Sequence, residues 1–290
     1  MAGAAPEVLS RRKALLAGLA TLASAAAALP ARANPPGLKL EGRFVQGGFA
    51  MGRTAPRAAV YLDDELAGPA STDGLFIVGF DRDAADSARL KLSSPDGEVE
   101  HDAAIAKGDF DVQVINGLPQ DTVTPTDPAL LARIKEETAR KNVGFASRVD
   151  TQDFQDGFII PVQATRQSAR FGGQRILNGV PMRPHYGADL AAPIGTPIVA
   201  PAPGLICFAE TGLHYEGGLT MIDHGQGFIS LYLHQSHLDV AVGQKVERGQ
   251  LIGLVGMEGR ATGPHLCWRL WWRGRHLDPM LLVGERAPAV

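Results

Sequence analysis

An all-β protein in two parts joined by one helix is the fold this sequence predicts. Three features predict it: short alternating apolar runs cut by Asp-Gly turns over residues 38–118, glycine-punctuated strand-like runs from Phe158 onward, and a single stretch of helical character between them. The expected organisation is an export signal over 1–33, a small N-terminal β-sandwich over 38–118, a helical linker over 119–155 and a C-terminal β-sheet domain over 156–290.

The first 33 residues differ in texture from the rest. Arg11, Arg12 and Lys13 precede the apolar run from Ala14 to Leu29, and Ala31-Arg32-Ala33 supplies the small-residue pattern of a cleavage site before Asn34. The apolar run is shorter than the ~20 residues a spanning helix needs, and Pro30 ends it, so no transmembrane anchor is expected. Ser10-Arg11-Arg12 before Leu15-Leu16 resembles a twin-arginine signal, with Ala14 standing where that motif prefers phenylalanine. Either export route implies a soluble mature protein in the bacterial periplasm.

The whole chain of 290 residues carries a net charge of −3. Residues 1–33 hold four basic groups and one acid, which leaves 24 basic and 30 acidic residues, a net charge of −6, in the remainder. A mildly acidic surface makes nucleic acid a poor partner. With two cysteines, Cys207 and Cys267, no disulfide framework holds the fold, although export permits one bridge.

In the front half, "AAVYLDDE", "GLFIVGFD", "ARLKLSSPDGEVEHDAAI" and "DFDVQVIN" read as strands, with turns at Asp63-Asp64, Asp73-Gly74 and Asp96-Gly97. Six or seven such strands argue a small immunoglobulin-like sandwich. His101, beside Glu100 and Asp102, is expected at the surface. The stretch "TDPALLARIKEETARKN" then reads as a surface helix: Thr126 or Asp127 caps it, Pro128 takes the first position, and Leu130, Leu131 and Ile134 form a narrow apolar stripe. Residues 144–156 are polar and read as a hinge.

Seven of the eight histidines lie in the rear half, which is otherwise all strands and turns. In "GPHLCWRL" an extended chain places His265, Cys267 and Arg269 on one face and Leu266, Trp268 and Leu270 on the other. "RPHYGADLAAP" holds His185 and Asp189 at an even offset, and Pro184 and Gly187 argue against helix, so extended backbone would return both to one side. Imidazole and carboxylate are ordinary zinc ligands, and a catalytic zinc takes three protein ligands and keeps a fourth position for water.

These segments, "HYGAD", "DHGQGFISLYLH", "VGQKVERGQLIGLVG" and "GRATGPHLCWRL", together resemble the lysostaphin/LytM-type zinc metallopeptidases, the glycyl-glycine endopeptidase-like peptidases of family twenty-three of the metallo class. The resemblance runs in order over about residues 156–285, and the front domain looks like that of exported bacterial members. It implies that His185 and Asp189 match the first two zinc ligands of an H-x-x-x-D motif. It also implies that His234 and His265 are non-ligand histidines that orient water and stabilise the oxyanion, and that the third ligand falls at the second histidine of H-x-H. Here that position is Cys267.

A thiolate is a competent zinc ligand, and strand alternation delivers it to the side of His265. It alters the charge, however. With neutral His185 and anionic Asp189 the metal keeps a net charge of +1, and a thiolate takes this to zero. Because zinc acts by acidifying its bound water, the expectation is a bound Zn2+ with reduced hydrolytic power. Two other readings of Cys267 stay open: a disulfide with Cys207, and an inert core thiol.

The remaining histidines read as structural or peripheral: His224 as a hydrogen-bonding residue at a hairpin, His237 as exposed, His214 and His276 as loop residues. Segments 172–184 and 211–218 are candidate groove walls, in which Arg175, Arg183 and Tyr215 could meet substrate carboxylates. The resemblance implies a zinc-dependent endopeptidase acting on peptidoglycan peptides. The alternative is a catalytically degenerate domain that binds cell wall or regulates a cell-wall hydrolase partner, which the loss of the final histidine would favour.

Overall fold

The period-two runs of the front half become strands with apolar residues on one side. The structure, a computed structural model, describes residues 38–284, so the signal expected over 1–33 lies outside the described residues. The front strands are β1 (Lys39–Arg43), β2 (Phe49–Arg53), β3 (Ala59–Leu62), β4 (Glu65–Pro69), β5 (Leu75–Gly79), β6 (Ser87–Ser94) and β7 (Gly97–Ala104). In β6, Ala88, Leu90 and Leu92 are buried while Ser87 and Arg89 are exposed. The β3–β4 hairpin turns on Asp63 and Asp64 at φ 53° and 65°, the left-handed pair that matches the twist of the flanking strands. One sheet runs β1-β2-β5 and the other β4-β3-β6-β7. Leu40, Ala50, Phe76 and Val78 of the first share a core with Val60, Leu62, Leu90 and Leu92 of the second.

Two local expectations fail here. His101 is buried, because β7 pairs it with Leu90, whose side chain points into the core; burial pushes its pKa down. The last front-half run, β8 (Val112–Ile115), does not join the sandwich: it pairs in parallel with a rear-half strand.

A one-turn helix, α1 (Gln120–Val123), precedes the expected α2 (Pro128–Phe145), so the connection holds two helices. Asp127 caps α2, its carboxylate accepting from the amides of Ala129 and Leu130, with Pro128 in the first turn. The apolar stripe docks it only in part: Leu131 is 45% exposed, Leu130 and Ile134 are half-buried, and the buried residues are Glu137, Lys141 and Gly144. Lys141 Nζ donates to Glu216 Oε1 at 2.6 Å, Glu137 Oε2 accepts the His214 amide at 2.9 Å, and Gly144 lies against Phe208 and Met221.

The rear half comprises β9 (Arg166–Ala169), β10 (Gln174–Leu177), β11 (Val180–Pro181), β12 (Ala188–Ala191), β13 (Pro197–Val199), β14 (Gly204–Leu213), β15 (Gly217–Asp223), β16 (Phe228–Leu238), β17 (Lys245–Val246), β18 (Leu251–Val255), β19 (His265–Trp272) and β20 (Arg275–Leu277), closed by a 3-10 turn at Pro279–Leu282. The main sheet runs β17-β14-β15-β16-β19-β12-β9, while β10 lies between β8 and β11 in a small separate sheet. Gly225, Gln226 and Gly227 all take positive φ and turn β15 into β16. The Gln226 side chain accepts from the Ile77 amide and donates to Leu75 O, which ties this turn to β5. Phe228, Leu270, Trp272 and Leu277 pack into the sandwich core, Phe49 and Phe228 meeting edge-on with centroids 6.0 Å apart. Among the described residues no helix is long and apolar enough to cross a membrane.

Candidate metal centre

Strand register builds two sides of the centre. Antiparallel pairing of β12 with β19 sets Asp189 opposite Cys267 and Ala191 opposite His265, so Asp189 faces the sulfur directly and His265 diagonally. His185 arrives differently. β12 begins only at Ala188, so even spacing along an extended chain does not place it. Its backbone is instead clamped to the loop before β10: its amide donates to Gly173 O at 2.8 Å and its carbonyl accepts from the Gly172 amide at 2.7 Å.

Three donor atoms converge. His185 Nε2 lies 3.0 Å from Asp189 Oδ1 and 3.3 Å from Cys267 Sγ, and all three lie within 4.8 Å of one another. His185 Nδ1 faces Arg170 O at 3.3 Å; donation there leaves Nε2 bare toward the other two. His185 and Cys267 are each 1% exposed and Asp189 8%. Asp189 Oδ2 accepts from Arg175 at 3.1 Å, whereas Oδ1 is buried without a competent hydrogen-bond donor. An orphaned carboxylate oxygen, a bare imidazole nitrogen and a sulfur are what a zinc ion would satisfy. Their 3.0 and 3.3 Å separations approach the roughly 3.3–3.7 Å ligand–ligand spacing of tetrahedral zinc with bonds of about 2.0–2.3 Å. The donor set fits that metal.

Burial alone would raise the Asp189 carboxyl, but the His185 ring and then His265 and Arg175 hold it well below the usual carboxylate range. Burial works to lower the His185 pKa, and Asp189 and Cys267 outweigh it and raise the value.

His234 and His265 stand beside these donors with ring centroids 4.7 Å apart. His234 lies in β16 at φ 66°, where the register with β15 shifts, and its Nδ1 bonds Glu258 O at 2.7 Å. His265 Nδ1 donates to Gly263 O at 2.8 Å, and its Nε2 lies 3.6 Å from Asp189 Oδ1. Burial pushes His234 down to about 4 and lowers His265, which favours the neutral ring in both. They open into a small cleft walled by Ile115, Leu118, Arg175, Leu177, Arg260 and Thr262.

Cys207 and Cys267 are separate free thiols, which removes the disulfide reading. Cys207 approaches Met221 O, and burial pushes its thiol up to about 12. His224 is fully buried, with Nδ1 on Pro203 O and Nε2 on Ser230 Oγ, and His237 is exposed. His276 lies in β20 and stacks on Tyr186 with centroids 3.7 Å apart. Segment 172–184 forms β10 and β11, and Arg175 both lines the cleft and donates to Asp189. Tyr215 packs under the Arg260 guanidinium. Sequence reading missed the wall from Ile115 and Leu118, since nothing local marks β8 as a partner of β10. It also missed Arg269, whose position on the His265–Cys267 face was the available signal.

Known proteins resemble this arrangement. Residues 183–279 match the model of peptidase family M23. A solved peptidase M23 structure from Pseudomonas aeruginosa is 28% identical, with a TM-score of 0.64 over 83% of this chain and 96% of that one, so the likeness extends to the front strands. Peptidoglycan DD-endopeptidase ShyA of Vibrio cholerae is 45% identical over 97 residues, 33% of this chain and 22% of that protein. DD-carboxypeptidase/endopeptidase Mpg of Neisseria meningitidis is 41% identical over 125 residues, 43% of this chain and 29% of that protein. The chain thus spans under a third of the length of these two curated relatives. The rear half is a β-sheet domain, and its residues 183–279, about a third of the chain, are similar to peptidase family M23.

Proposed function

We propose that this protein is a zinc-dependent endopeptidase acting on peptidoglycan peptides in the periplasm. The observation that carries the reading is the convergence of His185 Nε2, Asp189 Oδ1 and Cys267 Sγ beside two histidines whose neutral form burial favours. In it, His185, Asp189 and Cys267 hold the metal, which when bound supplies Lewis-acid polarisation and acidifies water. His234 and His265 each anchor Nδ1 on a backbone carbonyl, which fixes the ring and leaves the other nitrogen to accept or return a proton. The cleft walled by Ile115, Leu118 and Leu177 excludes bulk water from one side, and Arg260 offers a positive charge to a peptide carboxylate. The substrate class is supported by the named activities of the relatives, and the compartment by the signal-like residues 1–33. The division at 38–118, 119–155 and 156–290 belongs to the same proposal, amended in that β8 serves the rear half.

The second reading, a degenerate domain that binds cell wall or regulates a hydrolase partner, draws on Cys267 in the place of a histidine. Metal analysis of the mature protein together with muropeptide release from isolated sacculi separates the two. One zinc per chain with release supports the enzyme; no metal and no release, even from Cys267→His, leaves the binding role.

A further inference from the structure

Bound to a metal as a thiolate, Cys267 would not carry its negative charge alone. Arg269, two residues along β19 on the same face, directs Nε–H at Cys267 Sγ across 3.4 Å. Gly187 makes the room: a Cβ there would lie 2.7 Å from Arg269 Cγ and 3.1 Å from Cys267 Sγ. Asp189 is matched in the same way by Arg175 at 3.1 Å. Each donor that would be anionic with a metal bound therefore has its own guanidinium, so two negative charges would be offset by two positive ones. Counting ligands alone gives a neutralised metal; counting these neighbours does not.

We propose that Arg269 is a positioning residue for Cys267, holding the sulfur as a metal ligand and offsetting the charge that cysteine brings, so that the centre keeps its power to activate water. This rests on the metal-centre reading above. A hydrogen bond and a positive charge at Sγ draw electron density from the sulfur, so less is donated to the metal and its Lewis acidity is retained. A neutral histidine at the same position would have no use for a guanidinium behind it.

The test uses the mature chain as wild type, Arg269→Gln, Arg269→Lys, Cys267→His and the double variant Cys267→His/Arg269→Gln. Zinc affinity is read by competition with a chromophoric chelator, and the sulfur-to-cobalt charge-transfer band is recorded after loading with Co2+. Arg269→Gln weakens zinc binding about 10–100-fold and moves the band to longer wavelength, with Arg269→Lys intermediate in both. In the Cys267→His background the same change leaves zinc affinity unaltered or improves it, which a merely structural arginine would not do. Equal losses in the two backgrounds, or an unmoved band and affinity in Arg269→Gln, overturn the proposal while leaving the metal centre standing. If Arg269→Gln fails to fold, Arg269→Lys decides on the band position alone, an unchanged band counting against. A wild type that takes up no zinc overturns the metal-centre reading and this proposal with it.

Discussion

Asp189 and Cys267 sit directly opposite each other across β12 and β19, and the ring of His185 closes the third side at 3.0 and 3.3 Å. His185 and Asp189 are close in sequence and Cys267 is far from both, and the arrangement is held by strand register and by the clamp between His185 and Gly172-Gly173. Cys267→Ala should lower zinc affinity by on the order of 100-fold or more while the strands persist, since loss of a direct ligand exceeds the 10–100-fold effect of a supporting group. Equilibrium dialysis with zinc, with circular dichroism as the check on fold, reads the outcome; retained affinity would mean the sulfur is a bystander.

His265→Ala and His234→Ala should keep zinc and lose peptide cleavage. Neither ring is among the converging donors, and burial favours the neutral form of both, so the expected loss is about 10²–10⁴-fold in turnover, the range for a positioned acid or base. Metal content and muropeptide release measured on the same preparations separate this from a loss of metal.

Gly187→Ala should destabilise the fold by about 1–3 kcal/mol, because its Cβ would lie 2.7 Å from Arg269 Cγ and 2.8 Å from the backbone carbonyl of Trp268. Gly263→Ala, where a Cβ would meet nothing within 4 Å, is the control and should stay within about 0.5 kcal/mol of wild type. Denaturant unfolding of the two variants compares them; equal effects would contradict the crowding at 187.

Lys141 and Glu216 form an ion pair with side chains only 11% and 15% exposed, and it ties α2 to the turn between β14 and β15. Lys141→Met alone strands a carboxylate and should cost about 3–5 kcal/mol, of which Lys141→Met/Glu216→Leu should recover a large part. Chemical denaturation of the single and double variants gives the coupling, and an additive result would show the pair to be incidental.

Stability should fall as pH drops below 6.5, and His224 should account for part of it. Burial pushes this ring down to about 4 in the folded protein, so between the unfolded value of about 6.5 and 4 the unfolded chain binds a proton that the folded one refuses. Stability then rises with pH across that window, by on the order of 3 kcal/mol for one such group. Asp278, which burial pushes up to about 6, acts in the opposite sense and offsets part of the effect. Unfolding measured at pH 7 and pH 5 should show a shallower difference in His224→Gln than in wild type.

Much of the architecture was legible along the chain because it is locally encoded. The alternation of Ala88, Leu90 and Leu92, the Asp127 cap with Pro128, and the Gly225-Gln226-Gly227 turn each depend on residues a few positions apart, and each appears as read. The neighbourhood of His185, Asp189, His234, His265 and Cys267 was legible too, through the resemblance to a metallopeptidase family and the alternation of His265 and Cys267 along one strand. Four things were not. His101 is inside because of its partner Leu90, β8 serves the rear half because of β10, α2 docks through Lys141 because Glu216 waits in the turn between β14 and β15, and Arg269 reaches the sulfur because residue 187 has no side chain. Period, caps and turns are properties of adjacent residues and survive in the sequence alone. Which surface a strand pairs with, and which charge ends beside which sulfur, is settled only when distant segments compete for the same buried space.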